Sequence, residues 1–222
     1  MAQDLWTSVD TYISENLVHP DQALNDAVQA NASAGLPSID VAPNQGKLLH
    51  LLARIQGAKR ILEIGTLGGY STIWLARALP ADGKLITLEL DPAHAKVAAA
   101  NIQRAGLTAL VDLRVGPALD SLARLHAEKP APFDLIFLDA DKPNNPNYLE
   151  WAIKLSRPGT IIIGDNVIRD GEIIDPNSTD PRVTGTRTFL ENLGSHPQLD
   201  ATALQTVGSK GYDGFALALV KT

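Results

Sequence analysis

Two short apolar segments of the sequence end in residues that could together bind a divalent cation. Residues 134–138 are followed by Asp139, and residues 160–164 are followed by Asp165 and Asn166. If both segments are neighbouring parallel strands, about 4.8 Å apart, the two carboxylates converge and Asn166 adds a neutral oxygen. Two unpaired carboxylates this close would repel each other, whereas a dication keeps both ionised. The pattern therefore predicts a site for Mg²⁺, with Ca²⁺ or Mn²⁺ as alternatives.

Each of these acids taken alone has a structural alternative. Asp and Asn often cap the helix that follows a strand, and either acid could do so here. Lys142 lies three residues beyond Asp139 at the same predicted edge. It is placed to accept a proton as a general base, but it could equally be a solvated surface lysine. The pairing of the two acids favours the metal site.

A glycine-rich turn, residues 65–69, follows the first predicted strand, residues 61–64. Glycines at the carboxyl end of a strand allow the backbone to approach a ligand closely. The spacing is not G-x-G-x-x-G, and no Lys-Ser/Thr pair follows, so the dinucleotide and P-loop patterns both fail. A tight turn without a chemical role is the alternative.

Two glutamates near this turn suggest what kind of cofactor it would bind. Glu63 lies near the end of the first strand, where a carboxylate would face the positive ammonium or sulfonium end of a ligand similar to S-adenosylmethionine. Glu89 follows the glycine turn by roughly 20 residues, the separation at which an acid binds ribose hydroxyls. Together they favour a ribose-containing, positively charged cofactor over a dinucleotide.

The elements that must position these residues alternate along the chain. The predicted strands are residues 61–64, 85–88, 111–115, 133–138 and 160–163, and the helices between and after them are residues 70–79, 93–105, 118–127 and 148–155. This alternation is typical of a doubly wound parallel sheet. A further helix, residues 186–193, precedes two strands, 201–207 and 214–220, whose short connection predicts an antiparallel hairpin. We expect a Rossmann-like α/β fold with a seven-stranded, mostly parallel sheet and one antiparallel strand.

Helices are also predicted before the first strand. Residues 4–34 have the apolar spacing of a helix, and another helix begins near Pro43 and ends before Gly57. The expected organisation is a single domain, residues 1–222. Residues 1–57 form an N-terminal helical extension of it, and residues 58–222 form the Rossmann-like core.

Composition excludes several classes of function. The chain has 222 residues, a net charge of −6 and no cysteine. The absence of a basic face argues against nucleic acid as a partner, and the absence of cysteine excludes disulfides and thiolate chemistry. The N-terminus lacks the pattern of a signal peptide, and no apolar stretch approaches the ~20 residues of a membrane span. We therefore expect a cytoplasmic protein with no membrane partner.

Five segments carry a resemblance to a known family: residues 62–71, 88–89, 115–119, 137–142 and 164–166. Their order and spacing resemble the cation-dependent class I O-methyltransferases, the family of catechol and caffeoyl-CoA O-methyltransferases and their bacterial relatives. The resemblance runs from about Leu36 to the C-terminus. It implies S-adenosylmethionine as methyl donor, a small catechol-like or hydroxycinnamoyl-type aromatic hydroxyl compound as acceptor, and a homodimer.

The resemblance also implies roles for individual residues. Those that would bind or cover the cofactor are Val41, Glu63, Gly65, Thr66, Ser71, Glu89, Gly116, Pro117, Ala118 and Asp139. Asp139, Asp165 and Asn166 match the metal ligands, and Lys142 matches the general base. Asp141 matches a position in the acceptor site, together with Lys142 and Asn166. At Asn145 the sequence lacks the aromatic residue that is usual in the family, so we expect the shape of the acceptor pocket to differ from that of the relatives.

The predicted reaction is methyl transfer to a hydroxyl. A phenol loses its proton near pH ~10, so a dication that favours the ionised form and a base that takes the proton would both help at neutral pH. Alternatives are an NAD(P)-binding Rossmann oxidoreductase, a methyltransferase acting on nucleic acid or protein, and an inactive binding protein on the same fold. The polar segment 169–180 is either a lid over the acceptor or a plain solvent loop.

Overall fold

The apolar runs of the sequence become the strands of one sheet. The computed structural model describes residues 2–222. The strands are β1 (Arg60–Ile64), β2 (Lys84–Glu89), β3 (Val111–Val115), β4 (Leu135–Leu138), β5 (Ile161–Asp165), β6 (Leu199–Gly208) and β7 (Gly211–Val220). The sheet is seven-stranded with the order β3-β2-β1-β4-β5-β7-β6. Strands β1 to β5 pair in parallel, and β7 runs antiparallel to both β5 and β6. The predicted fold class is confirmed.

Eight α-helices flank the sheet in the described part of the chain. They are α1 (Ala2–Ile13), α2 (Gln22–Ser33), α3 (Pro43–Ile55), α4 (Tyr70–Ala76), α5 (Pro92–Arg104), α6 (Ala118–Ala127), α7 (Asn145–Lys154) and α8 (Pro181–Ser195). A π-helical turn, Ser14–Val18, extends α1, and two 3₁₀ turns cover Lys142–Asn144 and Arg169–Ile174.

The single helix predicted for residues 4–34 is wrong. The first helical segment ends at His19, which has a left-handed φ of 47°. Pro20 follows, and the side chain of Asp21 then caps α2 by accepting the N–H of Leu24. Proline disfavours helical geometry at the residue before it, so the apolar spacing continues across a real break.

The apolar core lies in two layers, one on each face of the sheet. Alternate residues of the central strands point to opposite faces. Leu62 and Ile136 join the layer under α6, α7 and α8, whereas Ile61 and Leu135 join the layer under α2 to α5. Burial on both faces is usual for parallel strands between helices, and it explains their nearly continuous apolar sequences.

Strand register brings the site residues together at the carboxyl edge. Ile64 pairs with Leu138, and Leu138 pairs with Gly164, so the residues that follow these strands are neighbours. Gly65 adopts a left-handed φ of 101°, and a Cβ there would lie 2.1 Å from the carbonyl oxygen of Asp139. Only glycine permits this approach.

Across residues 2–222, no helix combines the length and the apolar character that a membrane span requires.

Candidate active site

A cavity of about 850 Å³ opens at the carboxyl edge of the sheet. Ligand pockets commonly span roughly 300–1,000 Å³, so this volume leaves room for two small ligands side by side. The predicted site residues that line it are Val41, Gly65, Thr66, Ser71, Glu89, Pro117, Ala118, Asp139, Asp141, Lys142, Asp165 and Asn166. Glu63 and Gly116 are not among its lining residues.

Glu63 lies behind the cavity wall. It is completely buried and accepts hydrogen bonds from the hydroxyls of Ser71, at 2.6 Å, Thr72 and Thr87. Burial raises the pKa of its carboxyl to about 7 against the opposing effect of these hydroxyls, and the charge of Asp139 adds to the rise. The structure therefore places Glu63 where it orients Ser71, instead of facing a ligand directly as the sequence suggested.

Glu89 holds the backbone of the glycine turn by hydrogen bonds. One carboxylate oxygen accepts the backbone N–H groups of Thr66, at 3.1 Å, and Leu67, at 2.7 Å. The other oxygen accepts the N–H of Asp91 at 3.0 Å and lies 3.7 Å from the ring of His94. Since Glu89 also lines the cavity, it can hold the turn and still present an edge of its carboxylate to a ligand.

The two strand-end acids converge as predicted, and Lys142 joins them. Lys142 is buried, with its Nζ 3.0 Å from Oδ1 of Asp139. Asp165 is buried and accepts the backbone N–H of Asn166 at 2.8 Å. Burial, and next the negative charge of Asp139, raise the pKa of Asp165 to about 7, although Lys142 opposes the rise. The protein alone does not supply enough positive charge to favour the ionised pair.

These residues fit a bound dication. No group of three or more His, Cys, Asp or Glu side chains suited to a metal occurs within residues 2–222, so the amide of Asn166 would have to provide the third oxygen. Asn166 has a left-handed φ of 53°, a conformation that asparagine tolerates better than most residues. Two carboxylates and an amide are hard oxygen donors of the kind that Mg²⁺ and Ca²⁺ prefer.

Several cavity residues were not predicted from sequence. They are Ser38, Ile39, Asp40, Gln45, Asn144, Tyr148, Arg169 and Lys210. Asp141 is held by two of them, since it accepts the Tyr148 hydroxyl at 2.5 Å and the Asn144 amide at 2.6 Å. Burial and the Asp141 carboxylate both raise the pKa of the Tyr148 hydroxyl, so Tyr148 stays a hydrogen-bond donor. The spacing of Asn144 and Tyr148 from Asp141, three and seven residues, was the available signal.

The segment that covers the cavity, residues 37–41, is fastened by buried amides. Asp40 accepts a 2.7 Å hydrogen bond from Asn31 of α2. Asn101 of α5 donates to Asn31 at 3.0 Å and to the carbonyl of Gly68 at 2.9 Å. One chain of hydrogen bonds thus joins the covering segment to the glycine turn through two helices.

The β6–β7 turn, residues 209–210, completes the rim of the cavity. Asp10 of α1 accepts the backbone N–H of Ser209 at 2.7 Å and the amide of Asn44 at 2.9 Å. Lys210 lines the cavity and donates to the carbonyl of Ser38 at 3.3 Å. Helix α1 therefore helps to position the turn that carries Lys210 at the rim of the cavity.

The chain is similar to O-methyltransferases over nearly its whole length. The family model described as O-methyltransferase matches residues 14–219, so the likeness begins well before Leu36. The chain is 58% identical over 221 residues to a catechol O-methyltransferase of Niastella koreensis, covering 100% of both chains. It is 53% identical to a catechol O-methyltransferase of Mycobacterium tuberculosis, covering 96% of this chain and 95% of the relative.

Solved structures agree in fold. The O-methyltransferase of Bacillus cereus in complex with SAH superposes with a TM-score of 0.97 at 59% identity, covering 99% of this chain and 100% of that one. TomG of Streptomyces achromogenes, an O-methyltransferase in complex with SAM, gives a TM-score of 0.97 at 52% identity with 100% of both chains covered. The chain belongs to the O-methyltransferase family.

Proposed function

We propose that the protein transfers the methyl group of S-adenosylmethionine to one hydroxyl of a catechol-like aromatic acceptor, with the help of a divalent cation and of Lys142. The observation that carries this proposal is a single cavity that joins the glycine turn and Glu89 to Lys142 and the Asp139/Asp165 pair. Family membership favours this function over an oxidoreductase. Relatives named catechol O-methyltransferase and a homologue solved with SAM support the choice of acceptor and donor.

The cofactor end of the cavity suits a ligand that carries a ribose and positive charge. Glu89 and Pro117 belong to the β2–β3 side, where the ribose and adenine would bind. Gly65, Thr66 and Ser71 would bind the methionine part, with Glu63 holding the Ser71 hydroxyl in place. Asp139 lies between the two ends of the cavity. Its charge, with that of Glu89, favours a cationic sulfonium over a neutral ligand.

Asp139, Asp165 and Asn166 would hold the cation, and Gln45, which also lines the cavity, offsets part of the rise in the pKa of Asp165. When bound, the cation supplies positive charge that favours the ionised form of the acceptor hydroxyl. Lys142, as the neutral amine, would accept the hydroxyl proton at Nζ, and Asp139, whose Oδ1 lies 3.0 Å away, would pair with the ammonium that forms. The acceptor oxygen forms its bond to the methyl carbon as the sulfur–carbon bond breaks, and the sulfonium leaves as a neutral thioether.

Water exclusion should assist this step because opposite charges are neutralised as the methyl group moves. The covering segment 37–41 and the β6–β7 turn close over the cavity, and Val41 is buried among them. Segment 169–180 is tied to α8 by Arg187, which donates to the carbonyls of Ile173 and Asp175, and Arg169 of this segment lines the cavity. These contacts favour an ordered cover over a loose solvent loop.

The first test is methyl transfer to catechol by the purified protein with S-adenosylmethionine and Mg²⁺. Lys142→Gln should lower kcat by about 10²–10⁴-fold, the usual contribution of a general base, while calorimetric binding of the cofactor stays unchanged. Asp165→Asn and addition of chelator should both abolish turnover. Lys59→Gln is the matched control and should leave turnover unchanged. Lys59 is exposed and precedes the first residue of β1, at the end of the strand away from the cavity. Turnover that resists both chelator and Lys142→Gln would refute the mechanism.

A further inference from the structure

The carboxylates that line the cavity mostly have hydrogen-bond donors from the protein. Asp40 accepts from Asn31, and Asp141 accepts from both Tyr148 and Asn144. Glu89 accepts three backbone N–H groups. Asp139 and Asp165 belong to the proposed cation site. These negative charges are therefore engaged before an acceptor arrives.

The two cations at the rim are much less engaged. The Arg169 side chain is 24% exposed and lines the cavity, with its Nη1 3.8 Å from Oδ2 of Asp213, beyond hydrogen-bond distance. Asp213 uses its other oxygen to accept the backbone N–H groups of Ile168, Arg169 and Gly214. Within the described residues, Nε of Arg169 is buried without a hydrogen-bond partner. Within residues 2–222, the guanidinium of Arg169 therefore has one distant ion pair and at least one donor, Nε, without a hydrogen bond.

One further acid and the second rim cation bear on this balance. Asp180 interacts electrostatically with Arg169, but its carboxylate already forms an ion pair with Arg182, at 2.5 Å. Lys210, the second rim cation, donates to the carbonyl of Ser38 at 3.3 Å, and the nearby Asp40 accepts the amide of Asn31. Within residues 2–222, neither rim cation donates a hydrogen bond to a carboxylate.

Strand order places both cations on the acceptor side. Arg169 follows β5 by a few residues and Lys210 precedes β7, whereas Glu89 ends β2 at the other side of the sheet. Arg169 has a left-handed φ of 53°, and so does the next residue, Asp170, at 55°. This backbone turns the chain sharply just after Asn166. Arg169 and Asn166 both line the cavity, so the Arg169 side chain belongs to the same end of it as the proposed cation site.

Building on the proposed function, we propose that the preferred acceptor is a catechol that carries a carboxylate on its ring or on a short side chain. Arg169 binds this carboxylate, and Lys210 adds a second positive charge. A guanidinium matches a carboxylate in a planar, two-bonded geometry, and this pairing is stronger than a neutral hydrogen bond. The hydroxyls would then face Asp139 and Asp165 while the acid group faces the rim. Arg169 is a specificity-determining residue in this arrangement.

The test compares 3,4-dihydroxybenzoate with its methyl ester, which has the same ring and the same two hydroxyls. The wild-type protein should favour the acid in kcat/KM by about tenfold or more, as expected for a hydrogen-bonded charge pair. Arg169→Gln should remove most of this preference, Arg169→Lys should keep part of it, and Lys210→Gln should weaken it. The preference should also fall as salt is raised. Comparing the acid-to-ester ratio between variants cancels the difference in intrinsic reactivity of the two compounds.

Lys59→Gln is the control for loss of one positive charge, and it should keep the wild-type ratio. Melting curves confirm that the Arg169 variants are folded. An unchanged acid-to-ester ratio in Arg169→Gln, with both compounds methylated, would overturn this inference and leave the proposed function intact. A higher kcat/KM for a hydroxycinnamoyl thioester than for the free hydroxycinnamate would also overturn it. Absence of turnover with every acceptor would reject the proposed function as well.

Discussion

Glu63 is a carboxyl without access to solvent, and its ionisation should affect stability. Its pKa is about 7 in the folded protein because of burial and then the charge of Asp139, against 4.5 for the ordinary side chain. The folded state therefore holds this proton more tightly than the unfolded state. The free energy of unfolding should fall, by up to ~3 kcal/mol from this group, as pH rises from about 4.5 to about 7, and change no further above that range.

Glu63→Gln isolates this effect. Its melting temperature relative to wild type should rise between pH 5 and pH 8. Chelator is present in the measurement so that no bound dication changes the ionisation of Asp139 and Asp165. Asp165 acts in the same direction in both proteins and cancels in the comparison. Glu128→Gln is the contrast, because Arg114 lowers the pKa of Glu128 and its effect lies below about pH 4.5. A Glu63→Gln difference that stays constant across pH 5–8 would contradict the assignment.

At the residue scale, the meeting of Asp139 and Asp165 could be predicted from the sequence, but the residues at the rim of the cavity could not. Asp139 and Asp165 each follow an apolar run, and parallel pairing of those runs was enough to bring them together. Lys210 reaches the cavity through a hairpin turn from the far end of the chain, which local spacing does not encode. Glu63 was placed at the correct strand end, but the three hydroxyls that surround it come from α4 and β2, and they decide which way it faces.

Helix α8 controls the position of Lys142 by close packing. A Cβ at Gly185 would lie 2.4 Å from the carbonyl oxygen of Lys142 and 2.7 Å from Cα of Pro143. Gly185→Ala should destabilise the protein by about 1–3 kcal/mol, the usual cost of overpacking, and should reduce turnover because the turn that carries Lys142 must move. Denaturant unfolding and kcat are the measurements.

The same helix provides a matched control. Gly194 also lies in α8, and a Cβ there would have nothing within 4 Å. Gly194→Ala should therefore stabilise the protein by roughly 0.5–1 kcal/mol through helix propensity and leave kcat unchanged. If Gly185→Ala were to behave like Gly194→Ala, then α8 would not set the position of Lys142.

At the element scale, strands were easier to predict than helix ends. Each predicted strand exists within a few residues, because burial on both faces demands an apolar run wherever a central parallel strand lies. The break after the first helical segment was missed because Leu17 and Leu24 continue the apolar spacing across His19 and Pro20. Helix α8 also begins earlier than residue 186, at Pro181, where Asp180 caps it.

The whole molecule has an exposed apolar row on α1. Leu5, Val9 and Tyr12 are 63%, 47% and 69% exposed, although they follow one another at helical spacing. On another side of the same helix, Asp10 is buried against the β6–β7 turn. Helix α1 lies outside the residues that the family model matches, 14–219. An apolar row that the fold itself leaves uncovered is typical of a surface for a further protein chain.

Strand β6 adds an open sheet edge beside α1. Among the described residues it pairs with β7 alone, and it is exposed over most of its length, including Leu204 and Val207. Natural proteins usually cover or pair such edges, because unpaired strands recruit other chains. Since α1 packs against β6, the row and the edge are neighbours on one side of the molecule. This arrangement supports the homodimer expected from the family resemblance.

We predict that the protein sediments as a dimer at micromolar concentration and that the double variant Leu5→Glu/Tyr12→Glu shifts it toward monomer, because the new carboxylates would have to be desolvated in the interface. Thr11→Glu is the control, since Thr11 is exposed on a different side of α1 and bonds only to the carbonyl of Thr7. Analytical ultracentrifugation distinguishes the two results. A wild-type monomer, or a dimer that persists in the double variant, would place the partner surface elsewhere. Leu5 and Tyr12 are exposed, whereas Asp10 is buried, is left unchanged and still holds the β6–β7 turn, so the monomeric variant should retain methyl transfer.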